Sequence, residues 1–265
     1  MEISYQDLCM KTCDIARSTG AFIAGERKGF RQTMIEYKGL HDLVSYVDRA
    51  AEQRIIDALS EILPGSGFIA EEGTNNQRGE VYNWIIDPLD GTTNFIQGIP
   101  VYSVSIALME HDEPVLGVVY EIGQEECFYA WKDGGAWLNG NPIQVSACSD
   151  IHRALLATGF PYTNFDKLDD YLNFLKWAMR NSRGVRRIGS AAVDLAYVAC
   201  GRFDAFWEYD LKPWDVAAGV VLVKEAGGLL SAFDGADDYI FGRTILATNP
   251  HLEHIIKTEI NRYLA

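Results

Sequence analysis

Trp84-Ile85-Ile86-Asp87-Pro88-Leu89-Asp90-Gly91-Thr92-Thr93-Asn94-Phe95 is an apolar run that ends in two carboxylates, a glycine and two hydroxyls. It reads as a strand that delivers a site for a cation and a phosphate. Pro88 fixes φ between the acids, so Asp87 and Asp90 are expected to leave the strand end on a stiff turn. Hard divalent cations need oxygens held in that way. Gly91 lets the backbone come close to a ligand, and if Thr92-Thr93-Asn94 open a helical turn, their free N–H groups face the same point as the carboxylates. The plain alternative is a surface Asp-Gly turn with solvated acids, as in most such turns.

Two further acidic elements weigh against that alternative. Ile69-Ala70-Glu71-Glu72-Gly73 places two acids at the end of a short strand candidate, and Pro213-Trp214-Asp215-Val216-Ala217-Ala218-Gly219 opens a helix. Pro213 suits the first helical turn, which puts Asp215 at the helix N-terminus. The helix dipole alone favours an acid there. Asp215 in isolation would carry no more meaning than that; beside the other two elements it does.

With 48% hydrophobic residues, the 265-residue chain can bury a large core. Its 23 basic against 37 acidic residues give a net charge of −14, which repels nucleic acid and anionic membranes. A negative protein that handles a negative substrate needs local positive charge, and cations held by clustered acids would supply it. Cys9, Cys13, Cys127, Cys148 and Cys200 are an odd set without C-x-x-C spacing, so idle thiols in a reducing compartment are expected. Met1–Asp7 is acidic, and the longest apolar runs fall short of a membrane span, so a cytoplasmic protein is expected.

Ser4 and Asp7 suggest a cap for an amphipathic helix that ends near Gly25, and Val47, Ala51, Ile55, Leu59 and Ile62 trace a second helix that stops at Pro64-Gly65. Strand candidates at 68–70, 84–86, 101–108, 114–120 and 126–131 form an expected antiparallel meander. After about Ser149 strands and helices alternate, with helices over 167–179, 190–200, 213–226 and 251–264. No Pro/Gly-rich linker marks the change, so residues 1–265 are expected to form one domain, with subdomains of about 1–148 (α+β) and 149–265 (α/β) sharing a core. Layered helices and two sheets fit this order.

All three acidic elements, and nearly the whole chain, resemble the inositol monophosphatase family of magnesium-dependent, lithium-sensitive phosphatases. The resemblance implies a layered αβαβα sandwich of the inositol monophosphatase and fructose-1,6-bisphosphatase type. It implies Glu71, Asp87, Asp90, Asp215 and the Leu89 carbonyl as ligands of two or three Mg2+ ions. Spacing leaves Glu71 and Glu72 open; the resemblance selects Glu71, which would also help hold the attacking water. Thr92 would bond that water and Asp48 would orient Thr92, the plain alternative for Asp48 being a solvated helix surface. Lys38 lies where the family has a lysine supporting the metal site, in a loop of shorter spacing here.

On the substrate side the resemblance places Gly91, Thr92 and Asp215 against the substrate, Gly189-Ser190-Ala191 by the alcohol and Glu208 on polyol hydroxyls. Ser190 is also a natural helix cap. A carboxylate accepts two such hydroxyl bonds, which favours sugars and cyclitols over alkyl phosphates. Thr158-Gly159-Phe160-Pro161-Tyr162 reads as scaffold near the site. His41, His111, His152, His251 and His254 lie outside the acidic elements, neither Ser103 nor Ser190 has a G-x-S-x-G context, and no ATP loop occurs. The expected activity is Mg2+-dependent hydrolysis of a small polyol phosphate, foremost myo-inositol 1-phosphate, by a homodimer. Fructose 1,6-bisphosphate and nucleotide 3′-phosphates are the alternatives on this fold, and a regulatory RNA- or transcription-associated role is the rival class.

Overall fold

The computed structural model describes residues 4–30, 35–37, 43–75 and 77–264. The Ser4 hydroxyl accepts the N–H of Asp7 at 3.2 Å and opens helix α1 (Tyr5–Gly29). This helix outruns the expected stop at Gly25 by a turn, and its last turn carries Arg27 and Lys28, which suit the negative end of the helix dipole. The short hairpin β1 (Ile35–Tyr37) and β2 (Leu43–Ser45) leads into α2 (Tyr46–Ile62), which buries Val47, Ala51, Ile55 and Leu59. Both helices lie on one face of a seven-stranded sheet, ordered β3 (Gly67–Ala70), β4 (Tyr82–Asp90), β5 (Ser103–Glu110), β6 (Glu113–Glu121), β7 (Glu126–Trp131), β8 (Ala136–Leu138), β9 (Asn141–Ile143). The last two are short strands on either side of the Asn139-Gly140 turn, where the sequence suggested only turns; Pro142 fits the edge position of β9.

The meander is antiparallel from β4 to β9, but β3 pairs with β4 in parallel, Ala70 opposite Ile86. This corrects the expected pattern, and it matters. A parallel pair sends both strands out of the sheet at one end, so Glu71 emerges beside Asp87. The segment Asp87–Asp90 is a second correction. It does not follow the strand as a turn but belongs to β4, with a register shift between Asp87 (opposite Ser105) and Asp90 (opposite Ser103). Pro88 has no N–H to give to a ladder, and a bulge accommodates that while redirecting the acids.

The second half supplies β10 (Leu155–Thr158), α4 (Leu168–Asn181), β11 (Gly184–Arg186), α5 (Ala191–Ala199), β12 (Ala205–Tyr209), α6 (Pro213–Glu225), β13 (Leu229–Ser231), β14 (Thr244–Thr248) and α7 (Glu253–Tyr263). Its sheet runs β11-β10-β12-β14-β13, parallel across the first three and antiparallel at the rest. Helices α5 and α6 fill the space between the sheets, and α4 and α7 cover the far face. The layers are therefore αβαβα. Because α6 is sandwiched, Val216 through Val223 are all buried, and its apolar residues run all round the helix.

Contact between α6 and the first sheet is close enough to require glycine. A β-carbon at Gly117 on β6 would strike the backbone carbonyl of Ala218 and sit 3.0 Å from its Cα, neither of which can yield. Gly117→Ala should therefore destabilise the protein by about 1–3 kcal/mol, the usual cost of overpacking. An unchanged urea midpoint would mean that the layers separate more easily than this packing indicates.

Candidate active site

Five segments far apart in sequence meet at one cavity of about 260 Å³. Its walls carry Glu71, Asp87, Asp90, Asp194, Glu208, Asp210 and Asp215 against two cations, Arg187 and Lys212, with Leu89, Gly91, Thr92, Thr93, Gly159, Tyr162, Gly189, Ser190, Ala191 and Trp214 among the remaining wall. The expected metal ligands Glu71, Asp87, Leu89, Asp90 and Asp215 and the expected substrate residues Gly91, Thr92, Gly189, Ser190, Ala191 and Glu208 all line it; Asp48 stands behind Thr92. Lys38 lies outside the described residues.

Local structure explains each placement. Gly91, at φ +96°, turns the chain from β4 into α3 (Thr92–Gln97), and a β-carbon there would crowd the carbonyls of Val101 and Gly189 at 3.1 and 3.2 Å. Thr92 Oγ1 lies 3.0 Å from the Leu89 carbonyl and 3.3 Å from Asp48 Oδ1, both acceptors. Asp48 is 1% exposed, so it is not a solvated surface acid. Ser190 caps α5 (Ala191–Ala199), its Oγ accepting the N–H of Val193, and the same hydroxyl donates to Asp90 Oδ2 at 2.5 Å, a bond the sequence did not suggest. The Ala192 N–H adds a second bond to that oxygen at 2.8 Å. Asp215 likewise caps α6, accepting the Lys212 N–H at 2.6 Å, while facing the cavity.

The Asn94 amide ties the halves together, donating to Val101 O at 2.7 Å and to Ile188 O at 2.8 Å. Gly159, read only as scaffold, has a specific part: a β-carbon on it would collide with the Glu208 carboxylate. Several wall residues were missed by sequence reasoning, among them Lys212 and the following four. Arg187 sits over the rings of Phe160 and Tyr162 and donates to the Tyr162 hydroxyl. Asp210, in the left-handed region at φ 69°, accepts N–H bonds from Thr163 and Asn164 and pins the loop bearing Tyr162. Asp194 is 1% exposed with Oδ1 unbonded. Trp214, quoted in the sequence only as a neighbour of Asp215, lines the wall. Arg187 and Asp194 flank the Gly189-Ser190-Ala191 motif, which is the one signal that could have drawn them in.

Electrostatically the cavity is short of positive charge. Burial, then the charge of Asp215, raises Glu71 well above the ordinary carboxylate range, and burial with Glu71 and Asp90 does the same to Asp87. Burial pushes Asp90 up to about 6 against its bonds from Ser190 and Ala192, and burial with the Asp90 charge takes Asp215 to about 7. Glu208 is raised by burial and by Asp215, with Arg187 opposing.

As the side chains stand, no three His, Cys, Asp or Glu residues among those described already share a point that could hold an ion. Asp87, Asp90 and Asp215 each turn one oxygen onto its own scaffold, through Leu89 N, Ser190 with Ala192, and Lys212 N. The donor set still fits a cation. It consists of carboxylates and carbonyls without sulfur or imidazole, which suits Mg2+ or Ca2+ rather than Zn2+ or Cu+, and its acids outnumber the two cations of the wall, Arg187 and Lys212.

A layered αβαβα fold with an acidic cavity of this size between its sheets is the architecture of a small-molecule site at a layer junction. The chain belongs to the inositol monophosphatase family, whose model matches residues 6–264. It is 42% identical over 254 residues to the Nus factor SuhB of Pseudomonas aeruginosa, covering 94% of each chain. It is 37% identical over 251 residues to the inositol-1-monophosphatase of Mesorhizobium japonicum, again covering 94% of each. The Thermotoga maritima IMPase superposes with a TM-score of 0.88 at 32% identity, covering 97% of this chain and 98% of that one. The fold is thus the inositol monophosphatase fold, and the family is metal-dependent.

Raised carboxylates make the metal-free protein pH-sensitive in a defined direction. Below about pH 4 folded and unfolded chains hold the same protons on these groups. From there to about 7, the folded value reached by Asp215, the unfolded chain releases protons that the folded one keeps, so stability falls as pH rises. Melting in chelator should therefore give a lower Tm at pH 8 than at pH 5, by a margin worth a few kcal/mol in order of magnitude, and Mg2+ should restore the loss at pH 8. A Tm that rises over this range without metal would contradict the acidic cluster.

Proposed function

We propose that this protein is a magnesium-dependent phosphomonoesterase acting on a small polyol phosphate, with myo-inositol 1-phosphate the expected substrate. One observation carries the reading: Glu71, Asp87, Asp90 and Asp215, desolvated and in excess of the cations Arg187 and Lys212, share a cavity with Thr92, and Glu208 stands on the other wall. Glu71, Asp87, Asp90, Asp215 and the Leu89 carbonyl would hold two or three Mg2+ ions. Bound there, the ions supply the missing positive charge and lower the pKa of water. Glu71 and Thr92 hold the attacking water, with Asp48 fixing the Thr92 hydroxyl. The Gly91–Thr93 turn cradles the phosphate, and Asp215 meets the substrate from the metal side. Gly189, Ser190 and Ala191 border the departing alcohol, and Glu208 accepts its hydroxyls. As the new P–O bond forms on one side of phosphorus the ester P–O bond breaks on the other, and no phosphoenzyme is required.

We read the protein as a cytoplasmic homodimer in two subdomains that meet near Ser149. Among the described residues no helix is long and apolar enough to cross a membrane, and Leu172 and Met179, seven apart on α4, leave an exposed apolar stripe. A second reading follows from the relative named Nus factor SuhB: a part in transcription beside catalysis. The net charge of −14 argues against direct nucleic-acid contact.

Asp90→Asn should abolish phosphate release from inositol 1-phosphate while leaving the circular dichroism spectrum unchanged, because it removes one charge from a multi-cation site. Turnover within a few-fold of the parent would remove Asp90 from the metal set. Glu208→Ala should lower inositol 1-phosphate hydrolysis far more than that of an aryl phosphate, by about 10- to 100-fold if two hydroxyl bonds to the carboxylate are lost. Equal losses would make Glu208 structural, and a preference for fructose 1,6-bisphosphate or a nucleotide 3′-phosphate in the parent would reassign the substrate. Chelation should abolish activity, and Ca2+, with longer bonds and more ligands, should not replace Mg2+. Li+ should inhibit uncompetitively, since an ion near Mg2+ in size with half its charge could trap the phosphate product; full activity in chelator would end the metal-dependent reading.

A further inference from the structure

Behind the cavity lies a buried carboxylate to which the reading above gives no task. Glu52 on α2 is 0% exposed and does not line the cavity. Its two oxygens are each used on backbone: Oε2 accepts the N–H of Glu72 and Oε1 the N–H of Thr74, both at 2.7 Å. Burying a charged side chain completely is costly unless such bonds compensate it. The turn it grips is the one that begins with Glu71.

The geometry of α2 gives that grip a purpose. Asp48 and Glu52 are four residues apart, so they lie on one face of the helix, a turn from each other. Asp48 holds Thr92 through its hydroxyl, and Glu52 holds the turn on the far side of Glu71. On the near side Glu71 is fixed by its own N–H to Ile86 O at 3.2 Å. One rigid helix therefore braces both residues that flank the water position. A chain that needed only to close the turn could do so with solvent at its two N–H groups.

We propose that Glu52 is a positioning residue for Glu71: it clamps the 71–74 turn to α2 and so sets the spacing between Glu71 and Thr92. This rests on the phosphomonoesterase reading for its catalytic consequence, but not for its effect on cation binding. Glu52→Gln keeps size and shape but turns an amide NH2 toward one of the two N–H donors, so one end of the clamp opens. Outer partners of metal ligands are typically worth 10- to 100-fold in affinity or activity.

The comparison variant is Glu225→Gln. Glu225 makes an analogous clamp, accepting from Asp133 N at 3.1 Å and Gly135 N at 2.9 Å, but at the opposite end of α6 from Asp215. Mn2+ binding followed by the electron paramagnetic resonance of the free ion should weaken by about 10-fold in Glu52→Gln and stay unchanged in Glu225→Gln. The kcat for inositol 1-phosphate should fall by about 10- to 100-fold with KM little altered. In combination with Thr92→Ala the losses should be less than multiplicative, since both act on one water.

If Glu52→Gln lowers Tm like Glu225→Gln yet keeps parental Mn2+ affinity, or if its kcat loss multiplies with that of Thr92→Ala, Glu52 is only a structural clamp and the proposal fails. Should Glu52→Gln not fold, Glu52→Asp, which keeps the charge and shortens the reach, is read by the same criteria. A parent that binds Mn2+ but hydrolyses no phosphomonoester would overturn the functional reading, and the Mn2+ comparison alone would then decide for or against Glu52.

Discussion

Mutual repulsion among buried carboxylates is the constraint around which the rest of the molecule is arranged. Left to relax, Glu71, Asp87, Asp90 and Asp215 would separate or be pulled to solvent, because each is desolvated and each raises its neighbours. They stay together because every one is held by a scaffold stiffer than the repulsion. Asp87 is bonded within the β4 bulge, Asp90 by the start of α5 and Asp215 by the start of α6. Glu71 sits on a turn fastened to a sheet edge and a helix. The acids therefore sit on strand ends and helix starts, where the backbone has hydrogen-bond donors to give, rather than on free loops.

That arrangement also explains why close packing between the layers coincides with the site. For Asp90 to reach Ser190 the two sheets must approach until Gly91 and Gly189 nearly touch, and both glycines adopt positive φ to allow it. Gly159 admits Glu208 on the opposite wall by the same means. Small residues here are a condition for bringing charges from different segments to one point.

Much of this was legible in the sequence because the signals were local. Apolar periodicity located α1 and α2, the alternation of strands and helices placed α4 through α7 within a few residues, and the strings around Glu71, Asp87 and Asp215 identified acids at element ends without any fold in hand. What escaped depends on relations between segments. Nothing in Gly67–Ala70 says that it pairs in parallel with β4, since that direction is set by how residues 71–81 cross back. The β4 bulge was read as a turn because Pro88 and Gly91 are turn residues, and only the opposing strand β5 shows that the ladder resumes at Asp90. Arg187, Asp194 and Asp210 look like ordinary surface or helix residues until the segments converge, and Glu52 looks like the polar face of an amphipathic helix until the 71–74 turn is laid against it.

Because the acids come from both halves of the chain, the cavity exists only when the halves are docked. Ser190 and Ala192 from the second half satisfy Asp90 from the first, and Asn94 from the first half satisfies Ile188 O from the second. Pulling the layers apart would exchange these bonds for water, at a net cost of about 0.5–1.5 kcal/mol each and more for those to the charged Asp90. The repulsion that burdens the site is thus opposed by polar contacts that form only at full closure, on top of the apolar burial of α5 and α6. A bound cation would shift that balance further toward the closed state by linkage, since it has affinity for the assembled acids and little for the separated ones. Metal binding, layer docking and the alignment of Glu71 with Thr92 are in this sense one equilibrium, biased at three points.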